Sequence, residues 1–330
     1  MTSPAKITVV VPAFNVDRYV RSALDSLVSQ TRKADEVIII DDGSTDETSE
    51  ILAEYKGVPG WRIVKIRNNG LGPARNLGRA LAKSDYIYFF DSDDLLKQGF
   101  IERVHELIGK YQRPDMILFG GETFYDEGFE HPFAPNYVRT VEGEFGPGDH
   151  LITELAQRGQ ISASACLYVT KTALWSKNRL AYPAILHEDE AVFFPLLAVS
   201  RRTVAVAEAY FQRRVRRGSI MTRGFGADNA TGMLRVLNET TEFMAREPSL
   251  VQPDRDAWRD RVKVFGSRYL SMARSAGIPL CRGSLVGSVI VARDLKYGVR
   301  VLFSLMPEPV RTGLRVLFRR DRRRDATKSR

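Results

Sequence analysis

Three acidic groups stand where apolar runs end. Asp41 and Asp42 close the run Val37 to Ile40, Asp91-Ser92-Asp93-Asp94 closes Tyr86 to Phe90, and Glu188-Asp189 precedes the apolar segment Ala191 to Val199. An Asp-x-Asp pair after an apolar strand can present carboxylate oxygens to Mg²⁺ or Mn²⁺, which prefer a few carboxylates together with the phosphates of a ligand. The ordinary use of such acids is to cap helix N-termini. That accounts for one of Asp41 and Asp42 and for Asp94, and less well for Asp91 and Asp93 on either side of a small serine. Two acidic clusters at corresponding ends of two strands repel unless something cationic or hydrogen-bond-donating lies between them. Glu188-Asp189 has its own plain reading, an acidic first helical turn favoured by the helix dipole. Other chemistries are absent. Gly70-x-Gly72 lacks the third glycine of a dinucleotide fingerprint, no Gly-x₄-Gly-Lys-Ser/Thr occurs, and His187-Glu188-Asp189-Glu190 has no second histidine four residues on.

The elements that must carry these acids alternate. Lys6 to Pro12 reads as a β-branched strand, and Val20, Ala23, Leu24, Leu27 and Val28 as the apolar stripe of a helix laid on a sheet. Glu36 to Asp41 is a second strand. Ser44 and Glu47 have capping-box spacing for the helix that follows. Trp61 to Arg67 is a third strand, Pro73 opens a third helix, Asp85 to Asp91 is a fourth strand and Phe100 to Tyr111 a fourth helix. This rhythm predicts parallel βαβ units in an α/β domain. Ligands of such sheets sit beyond the carboxyl ends of the strands, where Asp41, Asp42 and Asp91 to Asp94 fall. After Asp115 short strands (116–119, 165–169, 204–206) mix with helices, and 228–275 reads as helical. The expected division is a catalytic domain over 1–225 and a helical region over 226–330.

The chain has 330 residues, 44% of them hydrophobic, enough for a substantial core. Its two cysteines make no disulfide scaffold, so a reducing compartment is expected. The first residues read as a strand rather than a leader, and no stretch of about 18 uncharged apolar residues offers a membrane span. The net charge is +9, of which residues 311–330 carry +7, so the body is nearly neutral. That argues against a nucleic-acid groove.

The segments VVVPAFN, EVIIIDDGSTDET, NNGLGPARNLG, YFFDSDD and HEDE, taken in order, resemble the successive motifs of family 2 glycosyltransferases over about residues 5–220. FQRRVRRGSI, from Phe211 to Ile220, resembles a later basic motif of the family, with its preceding tyrosines replaced. The resemblance implies a GT-A fold, a Rossmann-like, mainly parallel sheet flanked by helices, here with a helical C-terminal extension. It implies a metal-dependent, inverting transfer from a nucleotide sugar, usually UDP-linked, to a hydroxyl of a saccharide or glycolipid acceptor. It places the base and ribose against Pro12, Ala13, Phe14 and Asn15, with Asp41 favoured over Asp42 as acceptor from the base. Asn69 and Gly70 approach the nucleotide. Arg75 resembles the family arginine, with a scaffold role against Asp41 or Asp91 as the other reading. Asp91 and Ser92 reach the ribose or a metal-bound water, and Asp93, with Asp91, holds Mn²⁺ or Mg²⁺. Asp189 is the general base, and Glu188 orients the acceptor or the loop. Arg216 and Ser219 close over the diphosphate, whereas Arg213 and Arg217 are set aside as a solvated or membrane-facing patch.

Two other functions compete with this one. A sugar-phosphate nucleotidyltransferase would carry a Gly-rich phosphate loop with arginine and lysine after the first strand, and PAFNVDR is not one. A non-catalytic sugar-nucleotide or membrane-binding module would have no use for Asp189 as a base. The basic, partly apolar tail over 311–330 reads either as a helix packed on the catalytic domain with a basic end or, the reading favoured, as attachment to an anionic membrane surface, hence a cytoplasmic protein peripheral to the inner face of the cell membrane.

Overall fold

The computed structural model describes residues 4–129, 136–219 and 226–306. The first half follows the predicted alternation: β1 (Ile7–Ala13), α1 (Asp17–Val28), β2 (Glu36–Asp41), α2 (Thr48–Ala53), β3 (Trp61–Lys65), α3 (Leu71–Leu81) and β4 (Tyr86–Phe89). β3, β2, β1 and β4 lie side by side and parallel, with Ala13 opposite Asp41 and Asp41 opposite Lys65. β1, β2 and β4 are largely apolar on both faces because both faces are covered, whereas the edge strand β3 carries Arg62 and Lys65. Ile7, Val9 and Val11 join the cluster formed with Val20, Leu24 and Leu27 of α1. Val10 points the other way, against Gly78 of α3, where an added Cβ would lie 2.3 Å from a Val10 methyl.

The second half completes the sheet differently. β5 (Leu95–Leu96), α4 (Phe100–Lys110), β6 (Met116–Tyr125), β7 (Gly143–Phe145), α5 (Leu151–Gln157), β8 (Tyr168–Lys171), α6 (Thr172–Lys177), α7 (Glu188–Val199) and β9 (Thr203–Val215) follow in sequence. The sheet order is β3-β2-β1-β4-β8-β6-β9-β5, with β7 on β9. β8 runs antiparallel to both β4 and β6, and β9 parallel to β6, so the sheet is mixed. This is the α/β architecture expected, with two local corrections. The last strand extends from Thr203 to Val215, so most of the basic motif is strand, where a short strand over 204–206 was expected. Ser44 does not cap α2, which starts at Thr48. Its hydroxyl accepts the Asn15 N–H and its own N–H donates to Asp41.

A helical region follows: α8 (Ala227–Arg246), α9 (Pro248–Val251), α10 (Arg255–Ser275), α11 (Arg282–Ala292) and α12 (Leu295–Leu305). By compactness one unit comprises the described residues up to 219 together with 243–258. The other comprises 226–242 and 259–306. In the first unit Trp258 stacks on Phe243 at 5.3 Å and meets Phe194 of α7 at 5.6 Å. In the second, α12 lies along α10, with Lys263 on Asp294 and Arg274 on Ser304. No helix among the described residues is long and apolar enough to cross a membrane. The tail over 311–330 lies outside the described residues.

Candidate active site

The loops after β1, β2 and β3 are sewn together by short polar side chains. Asn15, at a positive φ of 50°, accepts the Thr45 N–H at its Oδ1 at 2.9 Å. Asp41 accepts the Ser44 N–H at 2.9 Å and the Ser49 hydroxyl at 2.5 Å, with Lys65 Nζ 3.7 Å away. Asp42 accepts the backbone N–H groups of Asn69 and Gly70 at 2.9 and 2.8 Å. Each acid of this pair therefore fixes a loop. Gly43, at a φ of 77°, comes so close to the third loop that a Cβ would sit 2.7 Å from the Asn68 nitrogen. Pro12 and Ala13 are buried at the end of β1, and the Phe14 ring stands exposed beside them.

Four carboxylates and four guanidiniums meet beyond β4. Arg75, almost wholly buried in α3, donates Nη2 to Asp91 at 2.7 Å and Nη1 to Glu188 at 2.5 Å. Of its two expected scaffold partners, Asp41 and Asp91, Arg75 meets Asp91, and Glu188 besides. The second oxygen of Asp91 lies 3.7 Å from Arg213, whose Nε is 3.9 Å from Asp94. Arg214 donates its backbone N–H to Asp94 at 2.8 Å and its Nε to the Asp93 carbonyl at 2.9 Å. Arg216 donates Nε to Asp93 at 2.9 Å, with its guanidinium 4.7 Å from the centre of the Tyr19 ring. Ser92 and Ser219 are buried.

Arg213 corrects the sequence reading. It is not solvated: it lies mostly buried between Asp91 and Asp94. Along β9 the odd residues Phe211 and Val215 are buried, so Arg213 between them points the same way. That alternation was available in the sequence; the long strand needed to apply it was not.

These pairings set the electrostatics. Burial alone would raise Asp91, yet Arg75 and Arg213 hold it below the usual carboxylate range. Glu188 shares Arg75 with Asp91 and has no second arginine among the described residues, and burial pushes it up to about 7. Burial, reinforced by Asp93 and Asp91, raises Asp94 well above its ordinary value. Its Oδ2 has no hydrogen-bond partner among the described residues. Asp189, one residue into α7, is half-buried and accepts only the Glu190 N–H, at 2.9 Å, among the described residues.

Two sets of side chains offer donor atoms suited in number to a divalent cation. Asp91, Asp94 and Cys166 place one ligand atom each within 4.8 Å of one another. That trio suits Mn²⁺ or Mg²⁺ poorly, because Cys166 and Asp94 are fully buried and burial keeps the soft sulfur a thiol. Asp91 and Asp93 fit better. Both are hard carboxylates on the loop itself, and Asp93 Oδ1 has no hydrogen-bond partner among the described residues.

Comparison with known proteins bears on the family and the fold. The family model "Glycosyl transferase family 2" matches residues 8–159. The chain is 31% identical over 223 residues to glycosyltransferase GlyA of Streptococcus pneumoniae, covering 65% of this chain and 31% of that protein. It is 26% identical over 247 residues to GlyG of the same organism, covering 71% and 78%. It thus spans about a third of the first relative and about three quarters of the second. The crystal structure of Staphylococcus aureus TarS 1-349 in complex with UDP-GlcNAc superposes with a TM-score of 0.61 over 90% of both chains at 19% identity, which establishes a shared GT-A fold. The domain that opens at β1 is thus similar to glycosyl transferase family 2 over residues 8–159 and shares its fold with TarS.

Proposed function

We propose that this glycosyltransferase moves a sugar from a UDP-linked donor to a hydroxyl of a saccharide or lipid-linked saccharide, with inversion. The observation that carries the reading is the Arg75 bridge. It ties the Asp91-Ser92-Asp93 loop to the first turn of α7, so a nucleotide-side group and a candidate base stand at one site beyond the strand ends. The donor's base and ribose lie against Pro12 to Asn15, Asn69 and Gly70. Asp41 accepts from the base, since a carboxylate suits the N3–H of uracil and its oxygens keep a second lone pair. The UDP-GlcNAc bound in the TarS complex supports a UDP-linked donor here.

Asp189 takes the proton of the acceptor hydroxyl as that oxygen attacks the anomeric carbon from the side opposite the diphosphate. Its partly exposed carboxylate suits this role better than Glu188, which is locked against Arg75 and orients the loop. Arg216 and Ser219 turn to the departing diphosphate. A Mn²⁺ or Mg²⁺ ion held by Asp93 and Asp91 supplies charge neutralisation for that leaving group when bound. The same reading places the enzyme at an anionic membrane surface, with the basic residues of 311–330 as one attachment.

Thermal unfolding tests it. UDP or a UDP-sugar with Mn²⁺ should raise the midpoint, because a ligand bound only by the native state stabilises it. If no nucleotide diphosphate or nucleotide sugar shifts the midpoint with any divalent cation, the reading fails.

A further inference from the structure

The second unit ends in a helical hairpin with two apolar sides. α11 buries Leu285, Ser288 and Ala292, and α12 buries Tyr297, Val301 and Ser304. The inner side is well made. The Tyr297 hydroxyl bonds Ser288 at 2.7 Å, Asp294 caps α12 by accepting the Tyr297 N–H at 2.8 Å, and Lys263 of α10 holds the same Asp294 at 3.1 Å. At 100° per residue, Leu295, Val299 and Leu302 fall on the opposite side of α12 from its buried stripe, and Val286 and Ile290 fall away from that of α11. All five are exposed, Leu295 to 84% and Ile290 to 69%. An inner core explains none of them.

The border of this face is cationic. Arg282, Arg293, Lys296 and Arg300 are exposed and have no acidic partner among the described residues. Asp294, the sole acid from Cys281 to Met306, is already used by Lys263 and the α12 cap. Charge chooses the occupant. A second copy in a two-fold dimer would set this cationic border against itself. The residues after 306 add +7 between 311 and 330 and would be repelled likewise. An anionic lipid surface satisfies both features, taking the aliphatic side chains among the acyl carbons while the long cationic ones reach back to headgroups.

We infer that the outer face of the α11–α12 hairpin, formed by Val286, Ile290, Leu295, Val299 and Leu302 with Lys296 and Arg300 at its border, is a docking surface for anionic phospholipid. This deepens the membrane part of the proposal above and is independent of its transfer chemistry.

Flotation of the full chain with phosphatidylcholine vesicles, with and without phosphatidylglycerol, tests it. The native chain should float with the anionic vesicles. Ile290→Ser/Leu295→Ser/Leu302→Ser should weaken that binding about tenfold or more, with unchanged melting and unchanged UDP-dependent stabilisation. Lys296→Glu/Arg300→Glu should remove most of the preference for phosphatidylglycerol. Three results overturn the inference. If the native chain binds and the triple variant binds equally well, attachment lies elsewhere and the membrane reading survives without this face. If the native chain ignores anionic vesicles, both fall. If the triple variant melts markedly lower, or converts a native dimer to monomer, the face is packed against protein.

Discussion

Glu188 points inward onto Arg75 at 2.5 Å, while its neighbour Asp189 meets only the Glu190 N–H among the described residues. One carboxylate is thus a structural tie and the other is available to a substrate. Asp189→Asn is nearly isosteric, so UDP binding should persist while acceptor-dependent turnover falls by about 10² or more, the usual scale for losing a general base. Near-normal turnover would move the base to another residue. Glu188 makes a separate prediction through pH. Its native carboxyl, raised by burial to about 7, binds a proton more tightly than the unfolded chain does. Its contribution to stability is therefore complete below the unfolded carboxylate range and is lost as pH rises through 7. Glu188→Gln cannot titrate, so the native protein should lose melting temperature relative to this variant between pH 5 and pH 8. A difference that stays flat with pH would mean that Glu188 titrates like an ordinary carboxylate. Asp93→Asn belongs beside these: it should keep the fold and lose most Mn²⁺-dependent UDP affinity, measured by titration calorimetry. Undiminished affinity would leave Asp93 only its contact with Arg216.

At the scale of elements, β1, β2 and β4 were legible as apolar runs bounded by loop residues and β3 by the Ile63-Val64 pair within its segment, with a striped helix between runs. The closure of the sheet was not. β8 is four residues long and antiparallel, and nothing in its local pattern says that it pairs with both β4 and β6. For the same reason the Arg75–Glu188 contact, between residues 113 apart, could not be read from spacing. The acidic motifs themselves were legible, and the arginines that neutralise them only in part: Arg75 was assigned a possible acid partner, while Arg213 was read as solvated. Close packing of α3 offers an element-scale test. Gly72 lies so near the turn before α7 that a Cβ would be 2.3 Å from the Pro183 carbonyl oxygen. A few residues on, Asn76 donates Nδ2 to the Tyr182 carbonyl and accepts the Tyr182 N–H, at 2.7 and 3.0 Å. Gly72→Ala should push the 182–183 turn away and destabilise the fold by about 1–3 kcal/mol, the usual cost of overpacking. The denaturation midpoint reads this, and an unchanged midpoint would show that the turn yields freely.

At the scale of the whole molecule, charge is distributed so that chemistry and attachment are separable. The site sets Asp91, Asp93, Asp94 and Glu188 against Arg75, Arg213 and Arg216, and Arg214 against Asp126, so its charged groups meet partners at short range. Most of the net +9 resides in 311–330, which contributes +7 and contains none of the residues placed in the site. Removing 311–330 should therefore leave UDP-dependent stabilisation unchanged. It should also weaken binding to phosphatidylglycerol vesicles strongly at low salt, since each basic residue near such a surface contributes about 1 kcal/mol. The difference between full-length and truncated chains should narrow as salt rises, because screening acts on the tail's charges and leaves the apolar contacts of the hairpin nearly untouched. What remains at high salt should then respond to Ile290→Ser/Leu295→Ser/Leu302→Ser. Equal binding by the full-length and truncated chains at low salt would remove the tail from the attachment. Loss of folding on truncation would instead assign 311–330 to the structure of the protein.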